Sequence, residues 1–286
     1  MNWRLKCVAF HLLDKLPFGQ VAHGAVQRLV TKRYFQRVTS TELATPELHL
    51  RHFRTLPAGA VALEFGCGRN LLTSLMLSHA GAGRVYAFDL VRLATIEQIN
   101  GVIGQLRALL PGDWPPVASF EELSEHYRID YRAPADARAT GLAEGSVDFV
   151  CSTAVMEHVP EAELRAIMTE CARICTPRAK LSFLIDYHDH YGSADRNITM
   201  WNFYRYSDRE WRKFNPDNHY QNRLRHSDYA DIFGDLGFGV LWAEGVIPDW
   251  GEAQLARVSP SPAFARYSHD DLVTVSGKYV LTPPAA

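Results

Sequence analysis

From residue 58 onward, short apolar runs alternate with stretches of helical periodicity, and this alternation constrains the chain more than any other feature. A strand that feeds a helix and then another strand builds a parallel sheet covered by helices. Residues 60–65 read as the first strand, followed by a glycine turn and then Leu71, Leu72, Leu75 and Met76 at helical spacing, closed by Gly81. Residues 84–89 make a second strand, residues 126–131 a weaker third after the Pro-rich break at Trp114, and residues 146–151 a fourth. The clearest helix comes next. Pro160 and Glu161 suit its first turn, Leu164, Ile167, Met168, Cys171, Ile174 and Cys175 form one apolar stripe, and Pro177 ends it. Residues 180–186 then form a fifth, nearly continuous apolar strand. A helix around Tyr229, Ile232, Phe233 and Leu236 leads to residues 240–242, and a last strand spans 272–276 and runs toward Val280.

Two segments stand outside this pattern. Residues 1–56 look helical and carry nine Lys/Arg against Asp14, Glu42 and Glu47, a formal +6 in a chain whose total is −2. They are expected to form a basic helical extension that caps a domain at 57–286. The overall balance excludes a polycation built to hold nucleic acid. Residues 187–226 hold nine aromatics, about twice the share expected from the chain's 11%, and four histidines. So many large flat side chains exclude a solvated linker, and the segment is expected to be a lid or substrate wall inserted into the domain.

No apolar run approaches the ~20 residues that a membrane span requires. The start is basic and apolar, but His11, Asp14 and Lys15 cut the run short and no small-residue cleavage site follows, so a signal peptide is rejected. It reads as an amphipathic helix packed on its own domain, with docking on anionic lipid as the alternative. The five cysteines form no Cys-x-x-Cys pair, which argues against a zinc ribbon or a redox dithiol. A reducing cytoplasm is the simplest fit.

The turn Glu64-Phe65-Gly66-Cys67-Gly68-Arg69-Asn70 sits where a strand enters a helix. Glycines there let the backbone turn sharply and let a ligand approach main-chain atoms. Asp89 ends the next strand, 23 residues after Gly66, the spacing expected of a carboxylate that accepts ribose hydroxyls. Leu71 stands where a pyrophosphate-binding turn needs a small residue, and no triphosphate-cradling loop exists. An acid at 64 would repel phosphate and suits instead a ligand with an ammonium and a sulfonium. That points to S-adenosylmethionine (SAM).

Residues 61–68, 85–89, Asp136-Ala137 and residues 145–159 resemble, in this order, the successive motifs of class I SAM-dependent methyltransferases. They are most similar to the small-molecule group that includes ubiquinone- and menaquinone-pathway enzymes. The resemblance covers residues 58–186, with weaker support to 282. It implies a Rossmann-like α/β fold with a seven-stranded, mostly parallel sheet and an antiparallel last strand. It further implies that Glu64, Gly66 and Gly68, in a turn that also holds Cys67 and Asn70, line the methionine end of SAM. Asp89 would hold the ribose with Leu90 beside the adenine, Asp136 would accept from the adenine amino group while Ala137 donates its N–H, and Ser152 and Thr153 would pass near the methyl donor. In some quinone-pathway relatives, acids on the segment after the fourth strand and the following histidine are associated with a divalent metal. Here Ala154 takes the place of the upstream acid, so no metal is expected.

Methyl transfer from a sulfonium is an in-line displacement, and a hydroxyl acceptor needs a base near neutrality. The fifth strand ends in Asp186-Tyr187-His188-Asp189-His190-Tyr191. His188 is expected to take the acceptor proton with Asp186 or Asp189 orienting it, and His158 is a second catalytic candidate. A metal site among Asp186, His188, Asp189 and His190 is weighed and set aside because these residues are crowded. Tyr187, His190, Trp201, Tyr204 and His219 are expected to face the acceptor, while Arg223, Arg225 and His226 either bind an acidic group or face solvent. The expected activity is transfer of a methyl group from SAM to oxygen on a small molecule, natural product or glycan, leaving S-adenosylhomocysteine. Methylation of nitrogen or a peptide carboxylate, of nucleic acid, or a non-catalytic SAM-binding scaffold are the alternatives. No RNA-binding module is visible.

Overall fold

The computed structural model describes residues 2–14 and 40–285. Expectations about residues 15–39 lie outside this description. Seven strands make one sheet: β1 (Val61–Phe65), β2 (Arg84–Phe88), β3 (Ile129–Arg132), β4 (Val147–Thr153), β5 (Cys175–Asp186), β6 (Gly239–Val246) and β7 (Ser276–Thr282). Their order is β3-β2-β1-β4-β5-β7-β6. The first five run parallel, and β7 pairs antiparallel with both β5 and β6.

The helices are α1 (Trp3–Asp14), α2 (Ser40–Phe53), α3 (Leu72–His79), α4 (Ile96–Leu109), α5 (Phe120–Tyr127), α6 (Glu161–Ile174), α7 (Asp208–Trp211), α8 (His226–Asp235), α9 (Gly251–Leu255) and α10 (His269–Val273). Local signals explain the longest of them. Thr95 caps α4 through the backbone N–H of Gln98, and Ile99, Val102, Ile103 and Leu106 bury one stripe. In α6, Glu161 and Glu163 occupy the first turn and Leu164, Ile167, Met168, Cys171 and Ile174 face the sheet.

Boundaries moved in three places. Residues 126–127 finish α5 instead of opening β3. Residues 272–273 belong to α10, so β7 begins only at Ser276. There, Ser268 caps α10 by accepting from Asp271 N–H, a local bond that outweighs the β-propensity of Leu272 and Val273. Finally, β5 starts at Cys175, before Pro177. Proline is tolerated there because the β4–β5 ladder is irregular between Val147 and Phe149, so no ladder bond is lost at it.

Two apolar cores cover the sheet. One packs α2, α3, α4 and α5 through residues such as Leu50, Leu75, Ile103 and Leu123; the other packs α6 and α8 through Leu164, Met168, Tyr229 and Phe233. A third core stands apart. Trp3 and Cys7 of α1 meet Tyr191, Trp201, Phe203, Tyr204 and Trp211 of the aromatic segment, together with Leu255, Phe264 and Val273. The amphipathic start of the chain thus packs on its own molecule: Trp3 N–H donates to Asp195 at 2.9 Å, His11 meets the Lys213 carbonyl at 2.9 Å, and Phe10 stacks on His219. Leu5, Val8 and Leu12 remain exposed on its outer side. All five cysteines are free and buried. Among the described residues no helix is long and apolar enough to cross a membrane.

Candidate active site

The carboxyl ends of the parallel strands carry the site, where open α/β sheets bind their ligands. Gly66 follows β1 with φ +70°, and a Cβ there would run into the side chain of Val155. Its N–H donates to the Phe88 carbonyl at 2.8 Å, tying the turn to β2. Gly68, also left-handed, donates its N–H to Asp89 at 3.0 Å, and the other Asp89 oxygen accepts from Val91 N–H at 3.1 Å. Asp89 therefore braces the glycine turn from the neighbouring strand. Burial raises its carboxyl above the usual range, against the pull of those two N–H groups.

Gly66, Asp89, Leu90, Asp136 and Ala137 line one crevice of about 140 Å³, together with Phe65, Val155 and His158. These are five of the eleven expected cofactor contacts. Asp136 is gripped by the guanidinium of Arg138 at 2.7 Å, which lowers its carboxyl. The other six do not line the crevice. Glu64 turns its carboxylate to the Ser74 hydroxyl at 2.5 Å, and burial pushes it up to about 7. Asn70 accepts from Leu72 N–H at the start of α3, Cys67 is buried, and Ser152 donates to the Phe65 carbonyl. Thr153 leans on His49 of α2, a residue with no recognisable sequence signal. His49 is fully buried between Thr153 Oγ1 at 2.8 Å and Ser182 Oγ at 2.7 Å, and burial holds its imidazole down at about 3, hence neutral.

Asp186 ends β5 and organises the histidines. Its Oδ1 pairs with His188 Nδ1, and its Oδ2 lies 3.6 Å from His190 Nε2. Those histidines hold its carboxyl well below the usual range, in spite of burial. The other ring nitrogen of His188 meets Ser193 Oγ at 3.0 Å. Asp189, the other acid considered for orienting His188, is fully buried and bonds to Tyr191 N–H and to Asn202 instead. His188 and Asp186 line a cavity of about 390 Å³ with Ala154, Leu184, Met200, Trp250 and Val275, an apolar chamber with one polar end. Ala154, which follows β4 and lines this chamber, is held left-handed at φ +50°.

A third cavity, of about 420 Å³, is lined by His158, His190, His219, Tyr220, Asp217 and Asn218. His158 donates from Nδ1 to the Tyr220 carbonyl at 2.7 Å. Glu157, its neighbour in sequence, is a buried carboxylate. Burial raises Glu157 well above the carboxylate range, and the Asp186 charge adds to this.

Of the expected acceptor contacts, His190 and His219 line a cavity. Tyr187 is buried against Tyr229 and bonds to His226, and Trp201 and Tyr204 are fully buried in the third core, lining none of these three cavities. Arg223 and Arg225 neither face solvent nor reach a cavity. Arg225 donates to the Tyr187, Asp271 and Thr274 carbonyls and lies 5.2 Å from the ring centres of Tyr187 and Tyr204. Arg223 holds the Phe203 and Tyr206 carbonyls and Asp208. Both cement the aromatic segment.

A profile of the methyltransferase-domain family matches residues 35–241. The ubiquinone biosynthesis O-methyltransferase of Xanthomonas oryzae pv. oryzae (strain PXO99A) is 30% identical over 125 residues, which cover 43% of this chain and 42% of that protein. The match thus spans less than half the length of that relative. Among solved structures, phosphoethanolamine N-methyltransferase 2 of Haemonchus contortus, in complex with S-adenosyl-L-methionine, superposes with a TM-score of 0.56 at 14% identity, over 97% of this chain and 60% of that one. The geranyl diphosphate C-methyltransferase of Streptomyces coelicolor A3(2), solved with Mg2+, geranyl diphosphate and S-adenosyl-L-homocysteine, gives 0.50 at 16% identity, over 85% and 80%. At such identities these two superpositions speak for the fold alone. The family profile, the sheet order and the braced glycine turn agree, and the chain belongs to the class I SAM-dependent methyltransferases.

Proposed function

We propose that this protein transfers the methyl group of SAM to an oxygen of a small-molecule, natural-product or glycan acceptor, with His188 as general base. The observation that carries this reading is the Asp186–His188 pair at the end of β5, lining the same chamber as Ala154 at the end of β4. The donor would lie in the crevice at Gly66 and Asp89, and the acceptor's hydroxyl at the polar end of the chamber. The C–S bond breaks as the C–O bond forms in line, the hydroxyl proton passes to His188, and S-adenosylhomocysteine leaves. Asp186 fixes the ring of His188 and steadies the imidazolium as it forms, so positioning and proton transfer each contribute. No Lys or Arg among the described residues lines the chamber, which suits an uncharged, mostly apolar portion of the acceptor.

Two measurements on His188→Ala test this. Calorimetry should show SAM binding within about twofold of the parent, while single-turnover methyl transfer to an acceptor fished from cell extract with labelled SAM falls by about 10²–10⁴-fold. Undiminished transfer by the variant removes His188 from the chemistry.

A further inference from the structure

β3 and β6 are the two ends of the sheet, and they are finished differently. β3 has four residues, one buried and three half-buried. Phe120 of α5 stacks on its Tyr131, and Asp130 holds Arg132 at 2.7 Å while that guanidinium lies 4.9 Å from the ring centre of Tyr86. A short strand with paired charges beside a covering helix gives another strand little to add to. β6 has eight residues, six of them exposed and none buried. Among the described residues it pairs with β7 alone. Val240 and Leu241 in the strand, and Ile247 and Trp250 just past it, are each roughly half exposed.

The sequence of β6 carries few of the usual protections of an edge. Residues 239–247 hold no Lys, Arg or Pro. Their single charge, Glu244, is met by Lys278 of β7 at 3.2 Å. One interruption exists, a register shift against β7 between Val240 and Trp242, and residues 242–246 beyond it stay regular. A row of backbone N–H and C=O groups without a strand partner, flanked by apolar side chains, is a template for another strand.

We propose that β6 pairs antiparallel with the β6 of a second copy of this chain, joining two seven-stranded sheets into one. The two edges decide the occupant. A copy cannot add its β3, because that edge is short and charged, so sheets do not join head to tail. The contact closes on itself as a twofold dimer. An antiparallel pair is complementary to itself, since the donors of each strand face the acceptors of the other. Charge permits it, because each Glu244 is already neutralised within its own molecule. A strongly charged partner would find no opposite charge along this strand. The edge of one strand is small for an interface, so the dimer should dissociate in the micromolar range.

Sedimentation velocity on the full chain, from about 1 to about 200 µM, tests this. A reversible shift from the mass of one chain toward twice that mass is expected. The double variant Val240→Lys with Ala243→Lys should weaken the association by about tenfold or more, because pairing would bury the added charges. Both positions are exposed, so the variant should melt with the monomeric parent, and lost pairing is then not lost folding. Leu5→Lys, on the exposed apolar stripe of α1, should leave the dimer unchanged. The five native cysteines are buried, so a nitroxide can be placed on Ala243→Cys alone. Spin–spin distances within about 20 Å are expected, from strands about 4.8 Å apart and two label tethers. A chain that stays monomeric at the highest concentration, or a dimer undisturbed by the double variant, overturns the proposal. So does a dimer lost to Leu5→Lys, or one whose labels lie more than about 30 Å apart.

Discussion

The proposed donor and acceptor sides of this molecule are built by different means. The donor crevice is small and consists of strand ends and the turns that follow them: Gly66 after β1, Asp89 after β2 and Asp136 after β3, each within a few residues of its strand. The acceptor side has two larger cavities whose walls come from residues 154–276, held by a core that reaches back to Trp3. The bond from Trp3 N–H to Asp195 joins residues 192 apart in sequence. Donor geometry is therefore local and repeats with the fold, whereas acceptor geometry is a product of long-range packing. An enzyme built this way can keep its cofactor while its substrate changes.

If the two regions are independent, breaking the aromatic core should leave the donor side intact. Trp201 is fully buried among Trp3, Tyr204, Trp211 and Phe264. Trp201→Ala should cost about 3–5 kcal/mol in denaturant unfolding, the usual range for a large aromatic removed from a core. Proteolysis should then begin in residues 187–226. SAM affinity measured at low temperature should stay within about threefold of the parent, a shift below 1 kcal/mol. A parallel collapse of SAM binding would show that the two sides fold as one unit.

The converse experiment strikes the donor side. Gly66 is left-handed at φ +70°, and any Cβ meets Val155. Gly66→Ala should weaken SAM binding by about tenfold or more, from the roughly 1–2 kcal/mol that an L-residue loses in that conformation. Its aromatic segment should resist protease like the parent's. Equal SAM affinity in calorimetry would mean that the turn tolerates a side chain and does not shape the crevice.

This division also explains what could be read before the fold was known. The strands were legible in apolar periodicity, because hydrogen-bonded ladders and helix stripes leave a pattern of period two or 3.6. The seven-stranded sheet with its antiparallel last strand came from the resemblance of four segments to the family's motifs, and the strand order came only with the structure. Gly66 and Asp89 were legible from the turn and the spacing between them, and Asp136 from the resemblance alone. Trp201 and Tyr204 were not. An aromatic ring that stacks on a ligand and one that fills a core have the same composition, and only packing distinguishes them. Arg225 was expected to bind an acidic group or face solvent, yet it is sealed among tyrosines and donates to three backbone carbonyls. Glu157 and His158 meet Asn222 and Tyr220, 65 and 62 residues further on, whose contacts no local pattern announces.

His49 is the exception within the donor half, and it gives the smallest effect. It comes from α2 in the N-terminal extension, yet it ties β4 to β5 through Thr153 and Ser182. Burial holds its folded-state pKa at about 3, far below the usual 6.5. The unfolded chain therefore binds a proton that the folded chain refuses, and stability must fall as pH drops below the ordinary histidine range. Between pH 6.5 and 5.5 this single residue should cost about 1 kcal/mol of unfolding free energy, from the linkage of one site titrating only in the unfolded state. His49→Gln keeps one donor and one acceptor for the two hydroxyls and cannot titrate. Denaturant curves for parent and variant at those two pH values should therefore differ by that amount, the variant losing less on acidification. Equal losses would mean that the extension opens near α2 without unfolding the sheet, so that His49 reaches water and protonates freely, and the extension would then belong with the separable parts of the molecule and not with the donor side.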